Sequence, residues 1–404
     1  MVERRIARRG RSSPPTVKPA SSSSKVAPPA TDLGVAPSTV VSTHTATPTL
    51  VDLFSGCGGA SLGFKAAGFK VSGAVELDPL AAESYELNLG ISPLIKDVRA
   101  LDGQELLRTF DLRKGELTCL LGCTPCQGFS RHRGDGAGRD PRNRLLDDFI
   151  ELVLGMLPLF VAFENVPVLL IGPGRWRLQQ AITKLRRASY EVRTEVVQAA
   201  DYGVPQKRRR LLLVASRVGN GVPWPVPTHG APDSARVLRG ELAPWRTVQD
   251  AIGDLPRLRS GQTSASDALH CARTHSKVAL ERMAHIRKDG GGRFDLPKNL
   301  ELKCHRDHDG HKDVYGRMWW SRPAPTLTGG CTNITRGRFI HPAQNRAITD
   351  REALLLQGFP SFATVVGTAG QRALQIGNAV PPPLTEAVAK AVLAQVSVTT
   401  KTVG

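Results

Sequence analysis

Long apolar runs are missing from this sequence. Nothing approaches the roughly 18 consecutive apolar residues that a helix needs to cross a bilayer, so no membrane span is expected. Aromatic residues are scarce, at 5% of the chain, and residues 1–47 contain none. That stretch is Ser, Pro, Thr and Ala behind a basic start. It cannot bury enough apolar surface to offset its ordering entropy, and reads as a disordered tail. It also lacks a continuous apolar segment after its arginines, so no secretory signal is expected. Acids are few: 36 Asp and Glu face 54 Lys and Arg, a net charge of +18. Residues 1–47 hold only seven of these bases and two of the acids, so the remainder is basic too. Such a field attracts polyanions, with nucleic acid the default partner; a surface kept soluble by its charge is the plainer alternative. Disulfide scaffolding is disfavoured, because the seven cysteines are odd in number and no export signal accompanies them. A reduced, cytoplasmic protein fits better.

From Thr49 the texture changes. TLVDLF (49–54), KVSGAVEL (70–77), LTCLL (117–121), LFVAF (159–163), RTEVVQAA (193–200) and RRLLLVAS (209–216) are short apolar runs, most bounded by turn residues. Helical patterns lie between them. Strands alternating with helices predict an α/β fold, a mostly parallel sheet covered on both faces. From about 217 to 320 the periodicity fades into Gly, Pro, Arg and His, which reads as a second, smaller, irregular domain. TDREALLLQGF (349–359) is expected to be helical. So is PLTEAVAKAVLAQV (383–396), where Leu384, Val388 and Val392 share one face.

In an open α/β sheet, ligands bind at the carboxyl ends of the strands. DLFSGCGG (52–59) sits at such an end. Gly56, Gly58 and Gly59 permit a tight turn and close approach to a ligand, and Phe54 could stack on a flat ring. The spacing is not that of a dinucleotide fingerprint, and no Lys-Ser/Thr follows as in a phosphate loop. Glu76, ending the second strand, is placed to accept from a ribose diol, and Asp97 from an exocyclic amine. This set suits a nucleoside cofactor without a diphosphate, such as S-adenosylmethionine. A tight strand-to-helix turn with no ligand is the bland alternative.

LGCTPCQGFS (121–130) holds Cys123 and Cys126 in C-x-x-C spacing. A structural zinc site would need about four ligands, and Cys304, His305, His308 and His311 could supply the rest. The second cluster lacks matching spacing, however, and no metal is expected. A redox dithiol would require a helix start in a smaller fold. The third reading is a single nucleophile, Cys126, behind the restraining Pro125. The following GFSRHRGDGAGRDPRN (128–143) is Gly-rich and basic, apt for a lid near phosphates. FENVP (163–167) ends another apolar strand with Glu164, and a carboxyl so placed holds a proton more readily than one in water.

These segments together resemble the cytosine-C5 DNA methyltransferase family. DLFSGCGGASLGFKAAGF resembles its first cofactor motif and VELDPLAAESYELN (75–88) the second. LGCTPCQGFS carries the Pro-Cys-Gln nucleophile, followed by FENV. GVPQKRRRLLLVAS (203–216) carries Gln-x-Arg-x-Arg as Gln206, Arg208 and Arg210. RPAPTLTGG (322–330), REALLLQGFP (351–360) and QIGNAVPPPL (375–384) match later motifs. These motifs, in family order, cover about 49–395. One departure is the lead-in Gly122-Cys123-Thr124, where the family has a Gly-Pro type. Cys123 is thus an extra thiol, and the C-x-x-C spacing is accidental.

The resemblance implies a Rossmann-like methyltransferase fold that uses S-adenosyl-L-methionine. Residues 48–216 would form the catalytic domain and 217–320 a target-recognition domain. Residues 321–396 would then pack back as a hinge and C-terminal segment. By correspondence the cofactor pocket includes Phe54, Gly56, Gly58, Glu76, Leu77, Asp97, Val98, Pro125 and Asn378. Cys126 would attack carbon 6 of a flipped cytosine and Glu164 would bond its N3 edge. Arg210, with Arg208 as second candidate, would hold the base's carbonyl oxygen, and Asn165 would be scaffold. Arg131, Arg133, Arg142 and Arg144 are candidate phosphate contacts; Thr326 and Thr328 would serve the hinge. The Trp319–Trp320 pair reads as core. The implied partner is double-stranded DNA, for a monomeric, nucleoid-associated enzyme that a cognate restriction endonuclease may accompany. Two alternatives stay open. A transfer-RNA methyltransferase of the same family would carry Cys-Phe-Thr in its recognition region, and that tripeptide is absent. A catalytically silent relative would have no reason to retain Cys126, Glu164 and Arg210.

Overall fold

The computed structural model of the protein describes residues 47–125, 144–302, 304 and 310–401. The N-terminal tail through residue 46, Cys126, Arg131, Arg133, Arg142, His305 and His308 lie outside the described residues. The first half of the chain alternates as its apolar runs predict. β1 (Thr49–Leu53), β2 (Lys70–Glu76), β3 (Leu94–Ile95), β4 (Cys119–Gly122), β5 (Phe160–Asn165), β6 (Glu191–Gln198) and β7 (Arg209–Ser216) form one sheet. Their order is β3-β2-β1-β4-β5-β7-β6. The neighbours from β3 to β5 pair in parallel, and β7 runs antiparallel to both β5 and β6. This is an α/β methyltransferase-type sheet.

Burial on both faces explains why the inner strands β1, β4, β5 and β7 are rich in apolar residues, while β6, at the sheet edge, alternates exposed and partly buried positions. Val51, Leu53, Leu120, Val161, Phe163, Leu211 and Leu213 face one cluster. It is closed by α3 (Gly103–Thr109), α4 (Leu145–Met156) and α5 (Gly172–Arg187), which follow α1 (Gly59–Ala66) and α2 (Pro79–Leu89) in the chain. Leu50, Leu121, Phe160, Ala162, Leu212 and Val214 face the other cluster.

Three short helices, α6 (Ala235–Leu238), α7 (Val248–Ile252) and α8 (Lys277–His285), lie in the irregular stretch. Its small core joins Ala279, Met283, Ile286, Leu296 and Tyr315 to Ile334, Ile340 and Ala347, so chain on both sides of position 320 shares one cluster. With little regular structure, backbone carbonyls here need side-chain donors. Arg317, fully buried, donates to the carbonyls of Met283, Ile286, His341 and Gln344. Burial pushes its pKa down to about 10, which still leaves it charged at neutral pH. Trp319 departs from the expected core role: it is only partly buried, between the guanidinium groups of Arg322 and Arg338.

The chain then returns through α9 (Asp350–Leu356) and α10 (Ala369–Asn378) to α11 (Pro382–Lys401), which lies along α1. Leu384, Val388 and Val392 are all buried against the sheet, as their spacing predicts. Contact is close because α1 carries glycines: a Cβ on Gly59 would sit 2.4 Å from the Val380 carbonyl oxygen. Among the described residues no helix is long and apolar enough to cross a membrane.

Arg346 and Glu352 form a fully buried, two-bonded pair at 2.7 and 2.8 Å, and Glu352 also accepts from the Thr349 backbone to cap α9. Removing one partner would strand the other charge. Arg346→Ala should therefore lower unfolding stability by about 3–5 kcal/mol, read from urea denaturation.

Candidate active site

Five parallel strands place their carboxyl ends at one edge of the sheet. The registers Leu53↔Val75, Leu53↔Gly122 and Gly122↔Phe163 align β1, β2, β4 and β5 there, and Glu76↔Ile95 adds β3. Because β7 runs the other way, its beginning reaches the same edge: Asn165 pairs with Leu211. The antiparallel strand thus delivers Arg210 to Glu164, the acid near the end of β5.

Beyond β1 the chain turns sharply. Phe54 has φ 63°, a left-handed conformation uncommon for a bulky residue, and Gly56 and Gly58 follow at 54° and 90°. Glu76 fixes this turn by accepting from the Gly56 backbone N–H at 2.7 Å and from those of Leu77 and Asp78. Space above the turn is open, since a Cβ built on Gly56 meets nothing within 4 Å. Leu77 is 60% exposed at the edge of this space, Val98 is buried, and Asp97 lies just past β3. The Arg99 guanidinium beside Asp97 holds its carboxyl below the usual carboxylate range. Phe54, Gly56, Gly58, Glu76, Leu77, Asp97 and Val98 therefore ring one end of the edge.

At the other end, Glu164 closes β5 and pairs with Arg210. Arg210 Nε lies 2.7 Å from Glu164 Oε1, with both side chains about a tenth exposed. Glu164 faces Leu212 across the strands, so Arg210 is its diagonal neighbour on the same face. The inner flank of Glu164 meets an apolar wall that includes Phe64, Leu212, Val380 and Leu384. The next residue, Asn165, donates from Nδ2 to Thr124 Oγ1 at 2.9 Å and to the Thr124 carbonyl at 3.3 Å. Cys123 donates its N–H to the Leu53 carbonyl. The lead-in to position 126, ending at the exposed Pro125, is thereby tied to both β1 and β5. Asn165 acts as scaffold here, as expected.

The first arginine of the motif behaves differently. Arg208 is 3% exposed, and its guanidinium donates to the carbonyls of Leu327, Gly377 and Ala379. Two of these flank Asn378, which is exposed at the end of α10. Thr326 donates to the Lys207 carbonyl at 2.7 Å, a contact at the start of the returning segment.

Sequence reasoning overlooked Asp52, although an acid inside the apolar run TLVDLF was a visible signal. It is fully buried between β1 and α1. Oδ2 accepts from Ser61 Oγ at 2.6 Å, and Ser61 in turn accepts from the Tyr85 hydroxyl at 2.8 Å. Oδ1 meets no hydrogen-bond partner among the described residues. Burial, opposed by the Ser61 bond and reinforced by Glu76, pushes its pKa up to about 7.

A glycine turn, a paired acid and arginine, and a tethered lead-in ending at Pro125 thus lie at one sheet edge. Residues 49–394 match the C-5 cytosine-specific DNA methylase family. The chain belongs to that family. It is 35% identical over 348 residues to a Type II methyltransferase, M1.HphI, of Haemophilus parahaemolyticus, covering 85% of this chain and 86% of that protein. It is 34% identical to the Type II methylase M.HgiDII of Herpetosiphon aurantiacus, covering 85% and 94%. Among solved structures, a prophage-encoded E. coli protein assigned as a DNA modification methyltransferase superposes with TM-score 0.66 at 25% identity, covering 87% of this chain and all of that one. The Entamoeba histolytica methyltransferase EhMeth shares the fold, with TM-score 0.57 at 15% identity over 87% and 99%. The chain is thus a DNA cytosine-5 methyltransferase.

For this methyltransferase, Asp52 generates a pH prediction. Its folded pKa lies above the ordinary 3.8, so the folded state holds a proton that the unfolded chain has already released between pH 4 and 7. Stability from this group is present below about pH 4 and lost as pH rises through about 7. Asp52→Asn, neutral throughout, should therefore be more stable than wild type at pH 8 by on the order of a few kcal/mol, and unfold at higher temperature. The gap should close toward pH 4. Melting curves without cofactor check both the sign and the window.

Proposed function

We propose that the protein transfers a methyl group from S-adenosylmethionine to carbon 5 of a cytosine extruded from a specific duplex DNA sequence. The observation that carries this is the Glu164–Arg210 pair at the sheet edge that also holds the glycine turn and the tether leading to Cys126. The cofactor fits the residues present: the turn over Gly56 is open, and Glu76 beside it offers a carboxylate to a ribose. Leu77, Val98 and Asp97 would flank the adenine, while Pro125 and Asn378 would close the far side. Bound there, the cofactor supplies an electrophilic sulfonium methyl.

Carbon 5 of cytosine is a poor nucleophile, and the chain's residues would change that. The Cys126 thiolate forms a bond to carbon 6, and the electron pair of the 5,6 double bond moves toward carbon 5. Glu164 would bond ring N3 and the exocyclic amine, favouring the ring protonated at N3 as negative charge develops there. Arg210 holds the carbonyl oxygen of the base while keeping Glu164 in place. After carbon 5 takes the methyl group, loss of its proton returns the electron pair, breaks the S–C6 bond and frees Cys126. Extrusion of the base costs a few kcal/mol, which contacts from the basic surface would offset.

The names of its relatives support a place in a restriction-modification system, with a nuclease cutting the same sequence unless it is methylated. We take the acting form to be a monomer.

Purified protein should transfer labelled methyl groups to duplex DNA, and bisulfite sequencing of DNA from expressing cells should show one methylated sequence context. Cys126→Ser should abolish turnover, and Glu164→Gln should lower kcat by roughly 10²–10⁴-fold. Transfer to RNA but not to DNA of diverse sequence would overturn the substrate assignment.

A further inference from the structure

Arg208 carries three hydrogen bonds to carbonyls on two separate segments, and its neighbour in the motif extends the same network. Gln206, fully buried, accepts from the Leu327 N–H at 3.1 Å and donates to Gln357 Oε1 at 2.9 Å. Gln357, also fully buried, donates to the Ile376 carbonyl at 2.6 Å. The two segments touch directly: a Cβ on Gly377 would lie 2.2 Å from the Thr328 carbonyl carbon. Carbonyls at the end of a helix lack intrahelical partners. Here those of residues 376, 377 and 379 accept from Gln357 and Arg208, the carbonyl of Ile376 also accepting from the Ala379 N–H that caps the helix.

We propose that Arg208 is a positioning residue whose guanidinium, clamping the carbonyls of Leu327, Gly377 and Ala379, sets the turn that presents Asn378 to the cofactor. It ties that turn to the segment leading into the small domain. This assigns Arg208 a role distinct from that of Arg210, and it rests on the cofactor reading of Asn378. An arginine suits the task because its planar fork offers donors in several directions at once and stays charged when buried. A lysine reaches fewer carbonyls, and an apolar residue leaves all three without this donor.

Two measurements on the full-length protein decide the matter. In hydrogen exchange, Arg208→Met should speed exchange about tenfold in residues 324–328 and 374–380 and leave β1, β4 and β5 as in wild type. Arg208→Lys should lie between. Uniformly faster exchange, or none, would overturn the proposal. In calorimetric titration, Arg208→Met should weaken S-adenosylmethionine binding about tenfold, and the Arg208→Met/Asn378→Ala double variant should bind no more weakly than Asn378→Ala alone. Additive losses would overturn it. Failure of the wild-type protein to bind S-adenosylmethionine would sink the cofactor reading, while the exchange pattern would still decide what Arg208 does.

Discussion

A carboxyl group can end a fully buried strand only if something compensates for its removal from water, and at Glu164 that something is Arg210. The pair lies 2.7 Å apart with both side chains nearly covered. Desolvating two charges is expensive, and a well-packed apolar pair would serve stability as well or better. The ion pair is therefore poorly explained as a device for holding the fold together. It fits the role proposed for Glu164, a carboxyl group fixed in orientation at the edge of an α/β sheet where ligands generally bind. The direction of β7 follows from this. Were β7 parallel to β5, the start of the strand would lie at the opposite edge, with Arg210 a strand's length from Glu164.

The other polar groups at this edge divide into those that hold backbone and those left facing open space. Asn165 and Arg208 spend their donors on carbonyls, the first at position 124 and the second at 327, 377 and 379. Glu76 does both: it fixes the glycine turn and keeps its carboxylate at the rim. Asp52 pays for its position with a buried oxygen that lacks a hydrogen-bond partner among the described residues, an arrangement evolution tolerates most readily near a working site. Rigid carbonyl-bound scaffolding behind a few adjustable groups is what a reaction that needs positioned atoms requires.

Much of this was legible in the chain. Apolar runs bounded by turn residues located six of the seven strands to within about two residues, because inner strands covered on both faces are rich in apolar residues and even the edge strand β6 keeps a pair of valines. β3 was not legible: two residues carry no periodicity, and Leu94–Ile95 form a strand only because β2 lies beside them. The direction of β7 was equally hidden, since an apolar run does not record which way it points. Glu164, Arg210 and the glycine turn were readable as chemistry, while Arg208 was not separable from Arg210. Both are arginines two positions apart, and only tertiary packing turns one toward carbonyls and the other toward an acid.

The small domain shows the same limit from another side. Its core takes Ile334, Ile340 and Ala347 from chain beyond position 320, so no boundary drawn along the sequence separates it from the segment that returns to the sheet. That segment passes Arg208 before it reaches Asn378 and α11. The irregular stretch is therefore joined to the turn at Asn378 by a short, hydrogen-bonded path rather than by a free linker. Displacement of residues 324–328 would pull on the carbonyls that Arg208 holds and so on the turn at Asn378. If the proposed cofactor and an extruded base both bind this edge, such a connection would let one bias the geometry offered to the other only to the extent that two positions of the turn differ in affinity.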